Sequence, residues 1–225
     1  MFETGGSISD RRIIDIDGAL RVNVSQERYR HVIRVVRTAK CHAHRLGLSV
    51  EKAGLAALGH DLAREWPGRQ LLAYVKVHEG YISSDERDKP VLLHGRAGAI
   101  LLRRQFGIMD QAILEAVEHH TLGKVGMGDL ARLIFAADYL EPGRKYTDLA
   151  FRRTTKTLCL NCLVRVVIEH SVLRHKDLHP FTAALFEEAT YSCSCDSGPK
   201  HKDQYFRTVI EQSSDANRQP SGRQT

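Results

Sequence analysis

From Gln26 onward, apolar residues in this 225-residue chain recur at three- and four-residue intervals, and the alternation of a half-buried strand is nearly absent. That pattern restricts the chain to an all-α fold. A first helix is expected from Gln26 to Leu46, with Tyr29, Val32, Ile33, Val36, Ala39 and Ala43 on its buried stripe. Gly47 supplies the left-handed stop. Ser49 caps a second helix through Ala63. Pro67 and Pro90 open helices that end near Gly80 and Gly107. Asp110 caps a helix stopped by Gly123, and another runs from Asp129 to Leu140, ending at Glu141-Pro142-Gly143. A long helix is expected from Asp148 to His170, and Pro180 starts a last one. Residues 1–25 read as an N-terminal extension, 26–190 as one helical domain and 191–225 as a polar tail. The tail is poor in apolar residues and is expected to be disordered, apart from a marginal helix around Tyr205 to Ile210.

No apolar run approaches the roughly 18 residues that a membrane span needs, and Met1 to Asp10 is too polar for a secretory signal. A cytoplasmic protein with no membrane partner is expected. Lysine plus arginine outnumber the acids 33 to 27, giving +6. That modest excess is spread along the chain. It suits an anionic small molecule and also weak nucleic-acid binding, and net charge does not choose between them. A small molecule rather than nucleic acid is the expected partner, and a homo-oligomer is compatible with it. Five cysteines are too few and too odd for a disulfide scaffold. Cys159 and Cys162 are spaced like half a zinc site that Cys193 and Cys195 would complete, but the first pair lies in a helical apolar pattern where buried thiols are the commoner state.

The residues with chemistry stand out against this background. His60-Asp61 follows the small and apolar run Gly54-Leu55-Ala56-Ala57-Leu58-Gly59. A buried carboxylate is costly unless a cation compensates it, and small neighbours let other helices approach. His31 lies near the start of the first helix, and Asp138 interrupts Leu133-Ile134-Phe135-Ala136-Ala137. Three helices thus offer nitrogen and oxygen ligands suited to a transition metal. His94 and His120 extend the set toward a second ion, with Asp61 bridging. His119 and His120 point about 100° apart on a helix, so one of them faces the site.

The order His31, His60-Asp61, His94, His120, Asp138 resembles the HD superfamily of phosphohydrolases. The closer resemblance is to the YqeK-like branch, described as symmetrical diadenosine tetraphosphate hydrolases. It spans roughly Arg28 to Glu187. It rests on Tyr-Arg-His-Val at 29–32, Ala-Leu-Gly-His-Asp-Leu-Ala-Arg at 57–64 and Leu-His-Gly at 93–95. It continues with His-His-Thr-Leu-Gly at 119–123, Ala-Asp-Tyr-Leu-Glu-Pro-Gly-Arg at 137–144 and His179-Pro180. The resemblance implies an HD helical bundle with a dinuclear-type site, often iron, with manganese or a similar divalent ion as the substitute. It places His31, His60, Asp61 and Asp138 on one ion, and Asp61, His94 and His120 on the other. The branch's usual tyrosine before the fourth histidine is His119 here, and its usual lysine after the His-Asp pair is Arg64.

With such a site, a metal-activated water attacks a phosphorus of the polyphosphate, with Asp61 as the shared carboxylate. Arg64, one helical turn after His60, and Arg144, after Pro142-Gly143, are candidates to offset phosphoryl charge. The expected reaction is cleavage of diadenosine tetraphosphate to two ADP. The alternatives are another HD reaction on a nucleotide (a phosphatase, guanosine-polyphosphate hydrolase or phosphodiesterase), an HD-fold oxygenase, or a metal-free RNA-binding helical module. The last leaves Asp138 and His60-Asp61 without a purpose.

Overall fold

The computed structural model describes residues 8–175 and 178–192, and these contain eleven α-helices and no strand. In chain order the helices are α1 Ile8–Asn23, α2 Gln26–Leu46, α3 Val50–Gly59, α4 Gly68–Glu79, α5 Ser84–Asp88 and α6 His94–Gln105. They continue with α7 Gln111–His119, α8 Asp129–Leu140, α9 Leu149–Thr154, α10 Leu160–His175 and α11 Pro180–Tyr191. Short 3₁₀ turns at Pro90–Leu93 and Thr155–Thr157 precede α6 and α10.

The caps act as their residue types require. The Ser25 hydroxyl accepts the Arg28 N–H at the start of α2, and Gly47 ends that helix at φ 71°. Ser49 caps α3, Asp110 caps α7 and Asp148 caps α9. The centre of the bundle is α2, α3, α7 and α8, with α6 laid against α7 and α10 against α8. Its core is Val32, Val35, Leu62, Leu102, Leu114, Leu133 and Ile134, all essentially removed from solvent.

Glycines set the tightest approaches. A Cβ on Gly95 would lie 2.6 Å from the Glu118 carbonyl oxygen and 2.9 Å from that of Val117. Backbone of α6 therefore rests directly on backbone of α7. Gly98 lies close to the carbonyl of Gly59 in the same way. The small residues around His60 do bring three helices together.

Several expectations are corrected. Helix α3 ends at Gly59, not Ala63, because residues 60–65 form tight turns bonded three residues apart, as in Leu62 N–H to Gly59 O and Arg64 N–H to Asp61 O. The helix expected from Asp148 to His170 is broken. The hydroxyls of Thr154, Thr155 and Thr157 bond back to carbonyls three residues earlier, competing with helical pairing. Leu158 is then extended, and the Cys159 thiol accepts the Cys162 N–H to begin α10. Pro67 sits one residue before its helix, and Pro90 opens a 3₁₀ turn ahead of α6. Helix α5 has no counterpart in the periodicity, since its five residues are polar and a Ser83–Glu86 capping box holds it. Helix α1 falls in the segment read as an extension, yet its Ile16 and Leu20 are fully buried and it packs on α2 and α3. Cys193, Cys195 and the helix expected at Tyr205 to Ile210 lie outside the described residues.

Candidate metal centre

Four histidines and two aspartates from six positions along the chain converge in the middle of the bundle. His31 comes from α2, and His60 and Asp61 from the turn after α3. His94 opens α6, His120 follows α7, and Asp138 lies in the last turn of α8. All six of the histidines and aspartates named from the sequence as ligands are thus brought together. His60 is 0% exposed and Asp61 2%.

The hydrogen bonds around the rings fix their tautomers. His60 Nδ1 lies 2.7 Å from the Ala57 carbonyl, and His120 Nδ1 2.7 Å from that of Val117. His94 Nδ1 meets the Val91 carbonyl in the same way. Each carbonyl is three residues back, and a carbonyl can only accept, so each Nδ1 carries the proton. His31 Nδ1 is 3.1 Å from Glu141 Oε1. Burial alone would raise the Glu141 pKa, but hydrogen bonds from His31, Arg34 and the Gly143 amide bring it down to about 2. Glu141 is therefore an ionised acceptor, and His31 Nδ1 is also the protonated nitrogen.

All four Nε2 atoms are left to point inward. His31 Nε2 is 3.0 Å from Asp138 Oδ1 and 3.5 Å from Asp61 Oδ2. His60 Nε2 is 3.3 Å from Asp61 Oδ2, and His94 Nε2 is 3.4 Å from Asp61 Oδ1. The Nε2 atoms of His31 and His60 are buried without a hydrogen-bond partner. Those of His94 and His120 lie 3.0 Å apart, each facing the other's lone pair. Burial, with His94 and His60 alongside, pushes His120 down to about 3, so His120 does not itself hold a second proton near neutrality. Ligand atoms of His31, His60 and Asp138 lie within 4.8 Å of one another, as do those of His60, Asp61 and His120. Lone pairs and carboxylates concentrated in this way, with ring protons turned outward to oxygen acceptors, fit a divalent cation. Both aspartates are held below the ordinary carboxylate range. Burial opposes this, but His60 and its neighbours outweigh it at Asp61, and His31, His60 and Arg144 outweigh it at Asp138.

Arginines stand at the edge of the cluster. Arg144 Nη2 is 2.6 Å from Asp138 Oδ1. Arg64 does not join it. The turn after His60 breaks the 3.6-residue spacing on which a shared face depended, and Arg64 does not line the cleft beside Asp61. Arg28 takes that place, its Nη1 3.1 Å from Asp61 Oδ2. Arg34 holds Glu141, with Nε 2.5 Å from Oε2. Arg28, Arg34 and Arg144 line one cleft of about 270 Å³ that opens at His31, with Glu27 and Glu65 on its rim. Sequence reasoning missed Arg28, Arg34 and Glu141. The signal for them was three-residue spacing: Arg28 and Arg34 flank His31 on α2, and Glu141 follows Asp138 just past the end of α8.

On the other side, His120 and Asp138 border a largely apolar chamber of about 280 Å³ with Phe135, Tyr139, Val167 and Ile168. His119 turns away from the cluster into a separate cleft, so His120 is the inward member of the pair. No helix among the described residues is long and apolar enough to cross a membrane.

Comparison with known proteins agrees with this geometry. The HD domain family matches residues 28–143. The symmetrical bis(5'-nucleosyl)-tetraphosphatase of Bacillus subtilis is 35% identical over 165 residues, covering 72% of this chain and 87% of that protein. The protein of the same name from Halalkalibacterium halodurans is 28% identical over 75% of this chain and 92% of its own length. A crystal structure described as a predicted HD superfamily hydrolase involved in NAD metabolism, from Clostridium acetobutylicum, superposes with a TM-score of 0.73 at 30% identity. It covers 79% of this chain, which covers 96% of it.

Proposed function

The chain belongs to the HD-domain family, and from that premise we propose that it is a metal-dependent hydrolase cutting diadenosine tetraphosphate symmetrically into two ADP. The observation that carries this reading is the inward set of four imidazole nitrogens and two carboxylates, with a three-arginine cleft at its edge. His31, His60, Asp61 and Asp138 would hold one divalent ion, and Asp61, His94 and His120 a second. Iron suits this nitrogen and oxygen set, as does manganese. A divalent ion bound there supplies a water that ionises near neutral pH and positive charge against the phosphoryl oxygens.

The chain's own residues do the rest. Glu141 and the three carbonyls hold each imidazole in one tautomer and orientation, so the site needs little reorganisation. Arg28 and Arg144 bridge the aspartates and the cleft. Their guanidiniums can therefore keep one contact with the site while offering further N–H groups to phosphate oxygens. Fixing the polyphosphate on both sides of the attacked phosphorus selects the bridge that breaks, because one phosphorus alone lies in line with the nucleophile. Water oxygen joins that phosphorus, the bridging oxygen leaves with the other ADP, and a proton from the water is released. The cytoplasmic placement expected from the sequence goes with a nucleotide substrate of this kind.

The reading is tested by turnover of diadenosine tetraphosphate before and after chelation. It requires activity that disappears on chelation and returns with a divalent ion. Turnover indifferent to the chelator would reject it.

A further inference from the structure

The third cleft, about 360 Å³, lies between the segment that carries Tyr81 and Asp85, the end of α7, and the start of α11. Two large aromatic side chains line it while remaining mostly open to solvent, Tyr81 at 67% and Phe181 at 60%. Leu92 and Leu122 add an apolar floor, and His119 and His179 add two further rings. Thr121, Leu122 and His179 also line the chamber bordered by His120 and Asp138, so the cleft shares a wall with the chamber beside the metal centre.

Its charge excludes phosphate. Glu79, Asp85, Glu86 and Glu118 stand around it, and the one arginine in its wall, Arg96, is already engaged by Glu79 and Glu86 at 2.6 and 2.7 Å. The phosphate-compatible cations are at the other end of the site, in the Arg28, Arg34 and Arg144 cleft. What this cleft offers instead is flat apolar surface, acceptors and one unanswered donor. His179 Nδ1 accepts the Phe181 N–H at 3.2 Å, so the proton sits on Nε2. That Nε2 is buried without a hydrogen-bond partner, 3.4 Å from Asp85 Oδ2. Aromatic stacking faces beside a ring N–H donor and a carboxylate acceptor match a nucleobase that carries ring nitrogens and an exocyclic amine.

We propose that the cleft flanked by Tyr81 and Phe181 binds a purine ring of the substrate, with Asp85 taking its exocyclic amine. The inference rests on the dinucleotide reading above and adds where the base goes. The polyphosphate then runs from this cleft past His120 and Asp138 toward Arg144 and Arg28. The acidic rim keeps phosphate out of the base site, so the cleft is left to one of the two bases.

The test is titration calorimetry on the full-length, metal-loaded protein, using the product ADP and inorganic pyrophosphate as probes. Tyr81→Ala and Phe181→Ala should each weaken ADP by about fivefold or more, the scale of one lost base stack, with pyrophosphate unchanged. Both side chains are largely exposed, so thermal melting should match wild type and serve as the folding control. Asp85→Leu should weaken ADP in the same selective way. Equal losses for ADP and pyrophosphate, or no loss for either, would overturn the proposal. Failure of the hydrolysis reading is separate: selective loss of ADP binding in a protein that does not cleave the dinucleotide leaves the base site standing.

Discussion

His94 and His120 meet with their Nε2 atoms 3.0 Å apart, although each ring has its proton on the other nitrogen, bonded to a carbonyl of the preceding turn. Two lone pairs at that distance repel unless a proton or a metal ion lies between them. The chain enforces the approach through Gly95, which lets α6 rest on the carbonyls of Val117 and Glu118. The metal centre is thus a consequence of backbone packing as much as of ligand choice.

Gly95→Ala should therefore be costly. Its methyl group would meet backbone, which cannot swing aside as a side chain can. Overpacking of this kind costs roughly 1–3 kcal/mol, and the separation of α6 from α7 should also lower bound metal. Denaturant unfolding with elemental analysis checks both; a variant as stable and as metal-rich as wild type would contradict the packing argument.

Asp61→Ala should remove turnover while the helices persist. Asp61 faces His31, His60, His94 and His120 and is held by Arg28, so its loss disturbs every part of the cluster. Activity should fall by at least about 10²–10³, the scale of one lost electrostatic contact in a site, with helical circular dichroism kept. A folded variant with near-normal turnover would remove Asp61 from the site.

Glu141→Gln keeps an acceptor for the His31 N–H but loses the charge that Arg34 and His31 share. Metal affinity, read by competition with a chelator, should drop about 10–100-fold. Unchanged affinity would mean that Glu141 does not orient His31.

Which of these residues are legible in sequence follows from how each departs from its surroundings. A His-Asp pair among glycine and alanine, and Asp138 inside an apolar turn, are anomalies that need a cation. Arg28 and Arg34 are not anomalies, because arginines on α2 look like a solvated face until its partners are known. Glu141 is hidden by Pro142 and Gly143, which read as a plain helix end. The break before α10 is hidden because apolar spacing continues across residues whose threonine hydroxyls end α9. Arg64 fails for the opposite reason: its spacing from His60 is helical only if the helix continues, and it stops at Gly59.

His42, 7% exposed on α2, should make the fold acid-sensitive. Burial, aided by Arg45 and Lys156, pushes its pKa down to about 4. The unfolded chain takes up this proton near pH 6.5, about the ordinary histidine value, whereas the folded one refuses it. Stability is therefore full above that pH and falls as pH drops toward 4, by about 2 kcal/mol at pH 5. Urea midpoints at pH 7 and 5 should differ less in His42→Asn than in wild type; equal differences would exclude His42 as the cause.

The most direct measurement is chromatography of an early time point of diadenosine tetraphosphate hydrolysis by the metal-loaded protein. ADP as the sole nucleotide product is the predicted result of the proposal that a metal ion at the histidine-aspartate cluster and the arginine cleft together select which phosphorus lies in line. AMP and ATP appearing together as the first products would contradict symmetrical cleavage.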